Sequence, residues 1–352
     1  MSDAYTVRLL PVNVEFGVEE GETVLNAAFR QGIALPHGCK EGQCSACKCV
    51  LVDGEVDLLK YSTFALNDSE RDSGHVLLCR SLPQSDIDVE LLNYDEELLA
   101  KSIAVRSFTG TITRFEKLTH DIRGIEIAVD EPIKFWAGQY VDITVTTEAG
   151  ETITRSFSMA NPPSETQRLS FIIKKYPDGK FSGQLDTGGI NVGAAVQLVG
   201  PYGACFRREG RDGALILVAA GSGMSPIWSI LHDHLASGED RPVHFFYGAR
   251  TQRDLFHLDR IAALTEEHPE IRFIPVLSHE PADSGWTGER GFVHERVNAR
   301  LKEMNIDGAG DVYACGPPPM IEALNPVLFM NGFEFERIFF DKFTPSSGSS
   351  AA

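Results

Sequence analysis

The chain has 352 residues, 43% of them apolar and 23% charged, which is an ordinary soluble balance and more length than one hydrophobic core usually supports. Its formal net charge of −18 argues against nucleic acid or an anionic membrane as a partner. The longest uncharged apolar run, Ala214–Ala220, is far short of the roughly 18 residues that a membrane span needs. The opening MSDAYTVRLL has neither a basic region nor a long apolar one, so no signal peptide and a cytoplasmic location are expected.

From Tyr5 to Phe16 apolar and polar residues alternate imperfectly around Pro11 and Asn13, which predicts two short strands. Glu22-Thr23 then opens a helix in which Val24, Ala27 and Ala28 follow a 3.6 period and Gly32 marks the stop. A loop, a strand at Cys49–Val52, a turn at Asp53-Gly54 and a strand at Ile87–Leu92 complete a small α+β unit, and Asn93–Ser102 reads as a connector. Between Ile103 and Arg208, runs such as TGTITRFEKL, YVDITVTT and LSFIIKKY recur with turn residues between them, the texture of a closed antiparallel barrel. From Gly213 uniformly apolar strands (ALILVAA, VHFFYGA, DVYACG) alternate with helical stretches such as PIWSILHDHLAS, which signifies a parallel α/β sheet. These textures predict a multidomain chain: residues 1–95, a linker at 96–102, an antiparallel barrel over 103–208, an α/β domain over 209–343 and a disordered tail at 344–352.

Seven cysteines, four of them between Cys39 and Cys49, favour metal ligation over a disulfide framework in a reducing compartment. A structural zinc site usually shows two close pairs, and here only Cys44-x2-Cys47 is one. The spacing Cys39-x4-Cys44-x2-Cys47, followed by a distant Cys79, is that of a plant-type [2Fe–2S] centre. Gly38, Gly42, Ser45 and Ala46 are small enough to let the backbone close around sulfides. Cys49 begins a strand and is expected to pack as a small buried apolar residue. The acidity is uneven, with 18 Asp/Glu against 7 Lys/Arg in residues 1–100; this is either a solvated face or a docking face for a basic partner.

GCKEGQCSACKCVLVDGEV and VLLCR resemble the plant-type ferredoxin domain fused to flavoprotein reductases, a β-grasp fold in which the fourth ligand matches Cys79. Arg155-Ser156-Phe157-Ser158 is similar to the R-x-Y-S element of the ferredoxin–NAD(P) reductase superfamily, with Phe157 in place of tyrosine. An arginine suits a flavin phosphate, and serines suit hydrogen bonding to the ring. Gly179-Lys180-Phe181-Ser182 matches that family's G-x-x-S, where a helix N-terminus receives the pyrophosphate, and GPYG follows at Gly200–Gly203. The resemblance implies FAD, with FMN as the smaller alternative. Gly221-Ser222-Gly223-Met224-Ser225-Pro226 follows a strand and opens a helix, the context for a dinucleotide pyrophosphate. It resembles the superfamily's G-x-G-x-x-P, just as Cys315-Gly316-Pro317-Pro318 resembles its C-G-P-P turn beside the nicotinamide.

Tyr247-Gly248-Ala249-Arg250 is the expected contact for the adenosine half. Arg250, Thr251 and Arg253 are candidates for an NADPH phosphate, whereas the family's oxygenase reductases mostly use NADH, which is the expectation here. In FFDKF, Phe340 or Phe343 is expected to cover the flavin. Ser158 and Cys315 are the catalytic candidates, in orienting rather than reacting roles. Over about residues 5–343 the chain resembles the reductase components of bacterial multicomponent oxygenases, in particular soluble di-iron monooxygenases acting on phenols, alkanes or methane. That resemblance implies a monomer passing electrons from NADH to FAD, to the cluster and on to a hydroxylase docked on the acidic domain. The reductase of a Rieske ring-hydroxylating dioxygenase shares all three modules, and a zinc-stabilised binding protein without redox activity is the alternative of another class.

Overall fold

The computed structural model describes residues 5–43, 45–92, 94–147, 150–176, 179–185, 190–304, 306 and 308–343. The chain forms two compact units: residues 1–106 with Gly200–Ala204, and residues 107–199 with 205–352. The expected disordered tail lies outside the described residues.

The first unit is a five-stranded mixed sheet with a helix on it. Its order runs Val14–Val18, Tyr5–Leu10, Ile87–Leu91, Lys48–Asp53, His75–Leu77. Tyr5–Leu10 pairs antiparallel with Val14–Val18 and parallel with Ile87–Leu91, so the first and last strands of the unit lie side by side. Thr23 caps the helix Val24–Arg30 by accepting from the Asn26 amide, and Gly32 ends it at φ +74°. Val24, Leu25, Ala27, Ala28 and Phe29 are buried against Val7, Leu9, Leu77 and Val89. At 25 cal/mol per Å² the larger of these, Val24, Leu25 and Phe29, contribute about 1.5–3 kcal/mol each before chain entropy is subtracted. The connector holds one helical turn, Glu96–Ala100, capped by Asp95.

The second unit joins a barrel to a parallel sheet. The barrel order is Thr152–Ser158, Tyr140–Thr146, Ala195–Tyr202, Arg106–Lys117, Ile122–Val129, Arg168–Lys174. A bridge between Met159 and Phe171 links the two outer strands and closes the sheet around Ile125, Val141, Ile153, Leu169 and Leu198. The other sheet is parallel throughout, in the order Glu289–Arg290, Ile271–Leu277, Val243–Ala249, Ala214–Ala220, Gly310–Gly316, Ile338–Lys342. Successive strands step one way from Ala214–Ala220, and the chain then crosses back to lay Gly310–Gly316 on its other side. The crevice beyond the carboxyl ends of those two strands is therefore the topological switch point. Ile122, Ala137, Ala160 and Ile172 of the barrel share one apolar cluster with Met224, Ile227, Trp228 and Leu231 of the helix Met224–Ser237.

Candidate functional site

In the first unit the loop after Leu35 departs from regular structure, with Lys40 and Ser45 at φ +58° and Gly42 at φ +70°. Positive φ at two residues with side chains within six positions is costly, and such strain clusters at functional sites. A Cβ on Gly42 would stand 2.8 Å from Tyr61 Cβ and 2.9 Å from Arg80 Cγ, so only glycine fits there. The amides of Glu41 and Gln43 donate to Cys39 Sγ at 3.4 and 3.1 Å. A hydrogen bond from Cys47 and the Gly42 amide lower the Cys79 thiol pKa. Inward-aimed amides and neighbouring sulfurs stabilise thiolates, the form in which sulfur binds iron. Cys39, Cys47 and Cys79 thus fit a [2Fe–2S] group; Cys44 lies outside the described residues. Cys49 faces the core opposite Val76 and Leu91, fully buried, and burial pushes its thiol pKa up.

In the barrel, the strand Thr152–Ser158 carries the arginine–serine element, and Phe157 packs on Phe181 with ring centroids 4.8 Å apart. That contact brings Arg155–Ser158 and Gly179–Ser182 together. Arg155 is half-buried, donates to the Thr154 carbonyl and forms no ion pair among the described residues, as suits a flavin phosphate. Ser156 donates to Asp142 at 2.5 Å, and Lys180 pairs with Glu151 at 3.2 Å on the surface. A Cβ on Gly179 would fall 2.2 Å from Ser182 Oγ, which itself accepts from the Tyr176 amide. A 3-10 turn, Ser182–Leu185, follows where the resemblance implies a helix N-terminus, and residues 186–189 lie outside the described residues. Gly200–Gly203, at the end of the strand Ala195–Tyr202, groups with the first unit.

At the switch point the two expected turns interlock. Gly221 adopts φ +56°, and a Cβ on Gly223 would lie 2.0 Å from the Cys315 carbonyl oxygen. A short 3-10 turn, Gly221–Gly223, leads into the helix Met224–Ser237, whose N-terminus carries no side-chain cap. Pro226 in its first turn removes an amide that would have had no partner. Such an end favours a pyrophosphate through its first-turn amides and dipole. Ser225, 1% exposed, spends its hydroxyl elsewhere: it donates to the Ser158 carbonyl at 2.7 Å and accepts from the Ile172 amide at 3.2 Å. It thereby fixes Ser158, itself buried, beside the nucleotide turn. Tyr247 donates to the Gly221 carbonyl at 3.3 Å, and a Cβ on Gly248 would press on Val293 at 3.2 Å. Arg250 and Arg253 are exposed, while the Thr251 amide and hydroxyl both donate to Asp254 at 2.8 Å. Pro317 and Pro318 start the helix Pro318–Met330, and the Phe343 amide donates to the Gly316 carbonyl at 2.8 Å. Alternation along Ile338–Lys342 places Phe340 in the apolar cluster on one face of the sheet and Phe339 and Phe343 against the cluster on the other.

Two residues at this place were missed from the sequence. Asp341 pairs in register with Cys315, and Cys205 Sγ lies 3.9 Å from Cys315 Sγ. Burial lifts the Asp341 carboxyl pKa to about 7, and the hydrogen bond to Cys315 together with burial holds the Cys205 thiol well above its ordinary range. The signals were a lone carboxylate inside FFDKF and a cysteine two residues after GPYG.

Residues 7–84 match the 2Fe-2S iron-sulfur cluster binding domain, residues 109–206 the oxidoreductase FAD-binding domain and residues 217–325 the oxidoreductase NAD-binding domain. The chain is 42% identical over 349 residues to the reductase component of propane 2-monooxygenase from Rhodococcus jostii (strain RHA1), covering 98% of this chain and 92% of that one. It is 38% identical to the phenol 2-monooxygenase reductase component from Pseudomonas sp. (strain CF600), covering 97% and 94%. Identity falls to 29%, over 96% and 98%, with the ferredoxin–NAD(P)(+) reductase component of the naphthalene 1,2-dioxygenase/salicylate 5-hydroxylase systems from Ralstonia sp. Among solved structures, a cytochrome P450 reductase from Amycolatopsis superposes with a TM-score of 0.85 at 30% identity, covering 98% of this chain and all of that one. No helix among the described residues is long and apolar enough to cross a membrane. The chain belongs to the family of monooxygenase reductase components, oxidoreductases built from a [2Fe–2S] domain, an FAD-binding domain and an NAD-binding domain.

Proposed function

We propose that this protein takes electrons from NADH and delivers them, through FAD and the [2Fe–2S] cluster, to the hydroxylase of a multicomponent monooxygenase acting on a phenol, an alkane or methane. The observation that carries the reading is the interlock of Gly223 with Cys315 at the switch point, with Ser158 tied to it through Ser225. When bound, the flavin supplies the conversion between the electron pair of a hydride and the single electrons that an iron–sulfur centre accepts.

The protein's own part is positioning. Arg155, Ser156, Phe157 and Ser158 would hold FAD together with Gly179, Lys180, Phe181 and Ser182. Gly221, Gly223, Met224, Ser225 and Pro226 would seat the NADH pyrophosphate through backbone amides, and Gly248 and Arg250 the adenosine half. Cys315, Gly316, Pro317 and Pro318 would bound the nicotinamide, with Ser158 and Cys315 orienting the reacting edge and Phe343 covering the flavin. Thr251 and Gln252 already donate to Asp254 and Glu280, so a 2′-phosphate there would face two carboxylates; this supports NADH over NADPH. Cys39, Cys44, Cys47 and Cys79 would hold the cluster. Residues 1–95, 103–208 and 209–343 serve as the three modules.

On the first unit, exposed Glu15, Glu20, Asp57 and Asp86 and the 96%-exposed ring of Phe64, two residues after the Ser62 amide that donates to the Gly42 carbonyl, support docking of a basic, partly apolar hydroxylase face on a monomeric reductase. Anaerobic NADH should bleach the flavin and then the cluster, and the reduced protein should drive turnover of a di-iron hydroxylase faster than that of a Rieske oxygenase. Turnover should fall steeply with salt; a rate that is flat from low to high ionic strength would remove the docking claim.

A further inference from the structure

Cys205, Cys315 and Asp341 come from three segments: the loop after the barrel strand Ala195–Tyr202, the end of Gly310–Gly316 and the edge strand Ile338–Lys342. Their ligand atoms all lie within 4.8 Å of one another. Both thiols are buried, at 2% and 0% exposure, while Asp341 keeps partial exposure. Electron relay uses Cys315 at most as an orienting group and has no use for a second thiol beside it.

The separation of the sulfurs distinguishes what they suit. A disulfide needs them about 2.05 Å apart. Two thiolates on one tetrahedral zinc, at Zn–S of about 2.3 Å, stand roughly 3.8 Å apart. The observed 3.9 Å, which in the metal-free protein is a hydrogen bond between the two thiols, is also the span the second needs, and the carboxylate in register with Cys315 supplies the third donor. Two sulfurs and one oxygen suit a borderline-soft ion and are a poor site for magnesium or calcium.

We propose that Cys205, Cys315 and Asp341 form a Zn2+ site at the switch point, and that zinc held there excludes the nicotinamide and stops electron entry. The binding claim is independent of the electron-transfer reading; only the inhibition rests on it. The metal would keep one open position toward the crevice and would tie the barrel to the edge of the parallel sheet.

The test uses holoprotein with full iron and FAD content, exposed to zinc sulfate and desalted. Wild type should retain one more equivalent of zinc than Cys205→Ala, with iron unchanged. Zinc affinity should drop roughly tenfold or more in the variant. NADH bleaching of the flavin should be slowed by zinc in wild type and not in Cys205→Ala. Cys205→Ser, closer in size, serves as the second variant, and flavin and cluster absorbance report folding of both. Equal zinc retention by wild type and both variants overturns the site. Zinc retained by wild type without slowed bleaching overturns the inhibition. A zinc-free protein that NADH fails to reduce counts against the electron-transfer reading and leaves the zinc count intact.

Discussion

The cluster loop and the nucleotide crevice are built on opposite plans. On the proposed ligand set, the first would gather three of its four thiolates from one short stretch of sequence, Cys39 to Cys47, and close with a single distant residue. The second takes Ser158 from a barrel strand, Gly223 from a turn, Cys315 from a central strand and Phe343 from just after the edge strand Ile338–Lys342, then locks them by close backbone approach and by hydrogen bonds to main-chain carbonyls. A loop site depends first on the identity of its ligands, and beyond them on the few bare positions, such as Gly42, that let it close. A packed crevice depends on the absence of atoms, and one added methyl group injures it as much as a lost functional group.

That contrast can be broken most sharply at the cysteines. Cys79→Ser should lose or destabilise the cluster absorbance, whereas Cys49→Ser should keep it at a modest stability cost; the reverse pattern would reassign the fourth ligand. Next in size is Gly223→Ala, whose Cβ has nowhere to go against the Cys315 carbonyl. It should cost about 3 kcal/mol and abolish most NADH-driven flavin reduction while the cluster spectrum stays. Gly42→Ala should do the converse, weakening the cluster and leaving flavin reduction by NADH in place.

Acid should also separate the two regions. His232 and His257 flank Trp228 in the second unit, and burial together with Arg260 lowers each pKa to about 4. Between their ordinary value of 6.5 and 4 the native state binds fewer protons than the unfolded chain, so this stability is present above pH 6.5 and is lost as pH falls toward 4. After allowance for partial exposure the effect is about 2 kcal/mol per histidine. The melting temperature of the flavin-containing unit should drop between pH 7 and pH 5, and the double change His232→Gln, His257→Gln should flatten that slope. Smallest is Ser225→Ala, which leaves the Ser158 carbonyl and the Ile172 amide without their buried partner. It should cost about 1–2 kcal/mol and lower the flavin reduction rate more than the affinity for NADH; a change confined to affinity would contradict the role in placing Ser158.

The sequence made the cluster loop legible because ligand spacing survives any arrangement of the rest. The helix Val24–Arg30 and the strands Tyr5–Leu10 and Ala214–Ala220 were legible for a similar reason, since their periodicity is local. Other features depend on packing and left little trace. The helix Leu258–Glu267 is short and buries only Ile261, and Pro318–Met330 is apolar on most sides and holds Pro326 within it. Ser225 looked like a nucleotide contact because it stands inside the Gly221–Pro226 motif, yet its hydroxyl serves the barrel. Asp341 and Cys205 became visible only once strand register set one opposite Cys315 and the fold brought the other across.

The interlock of Gly223 with Cys315 has a consequence for redesign. The end of the crevice that handles hydride is fixed by main-chain contact and offers no surface to edit. On the proposed reading the adenosine end would run outward from Gly248 to exposed Arg250 and Arg253, with Asp254 and Glu280 holding the neighbouring donors. Chemistry and nucleotide choice would then be mechanically separate. Exchanging the carboxylates at the rim is a route to a different dinucleotide that leaves the machinery of electron entry untouched.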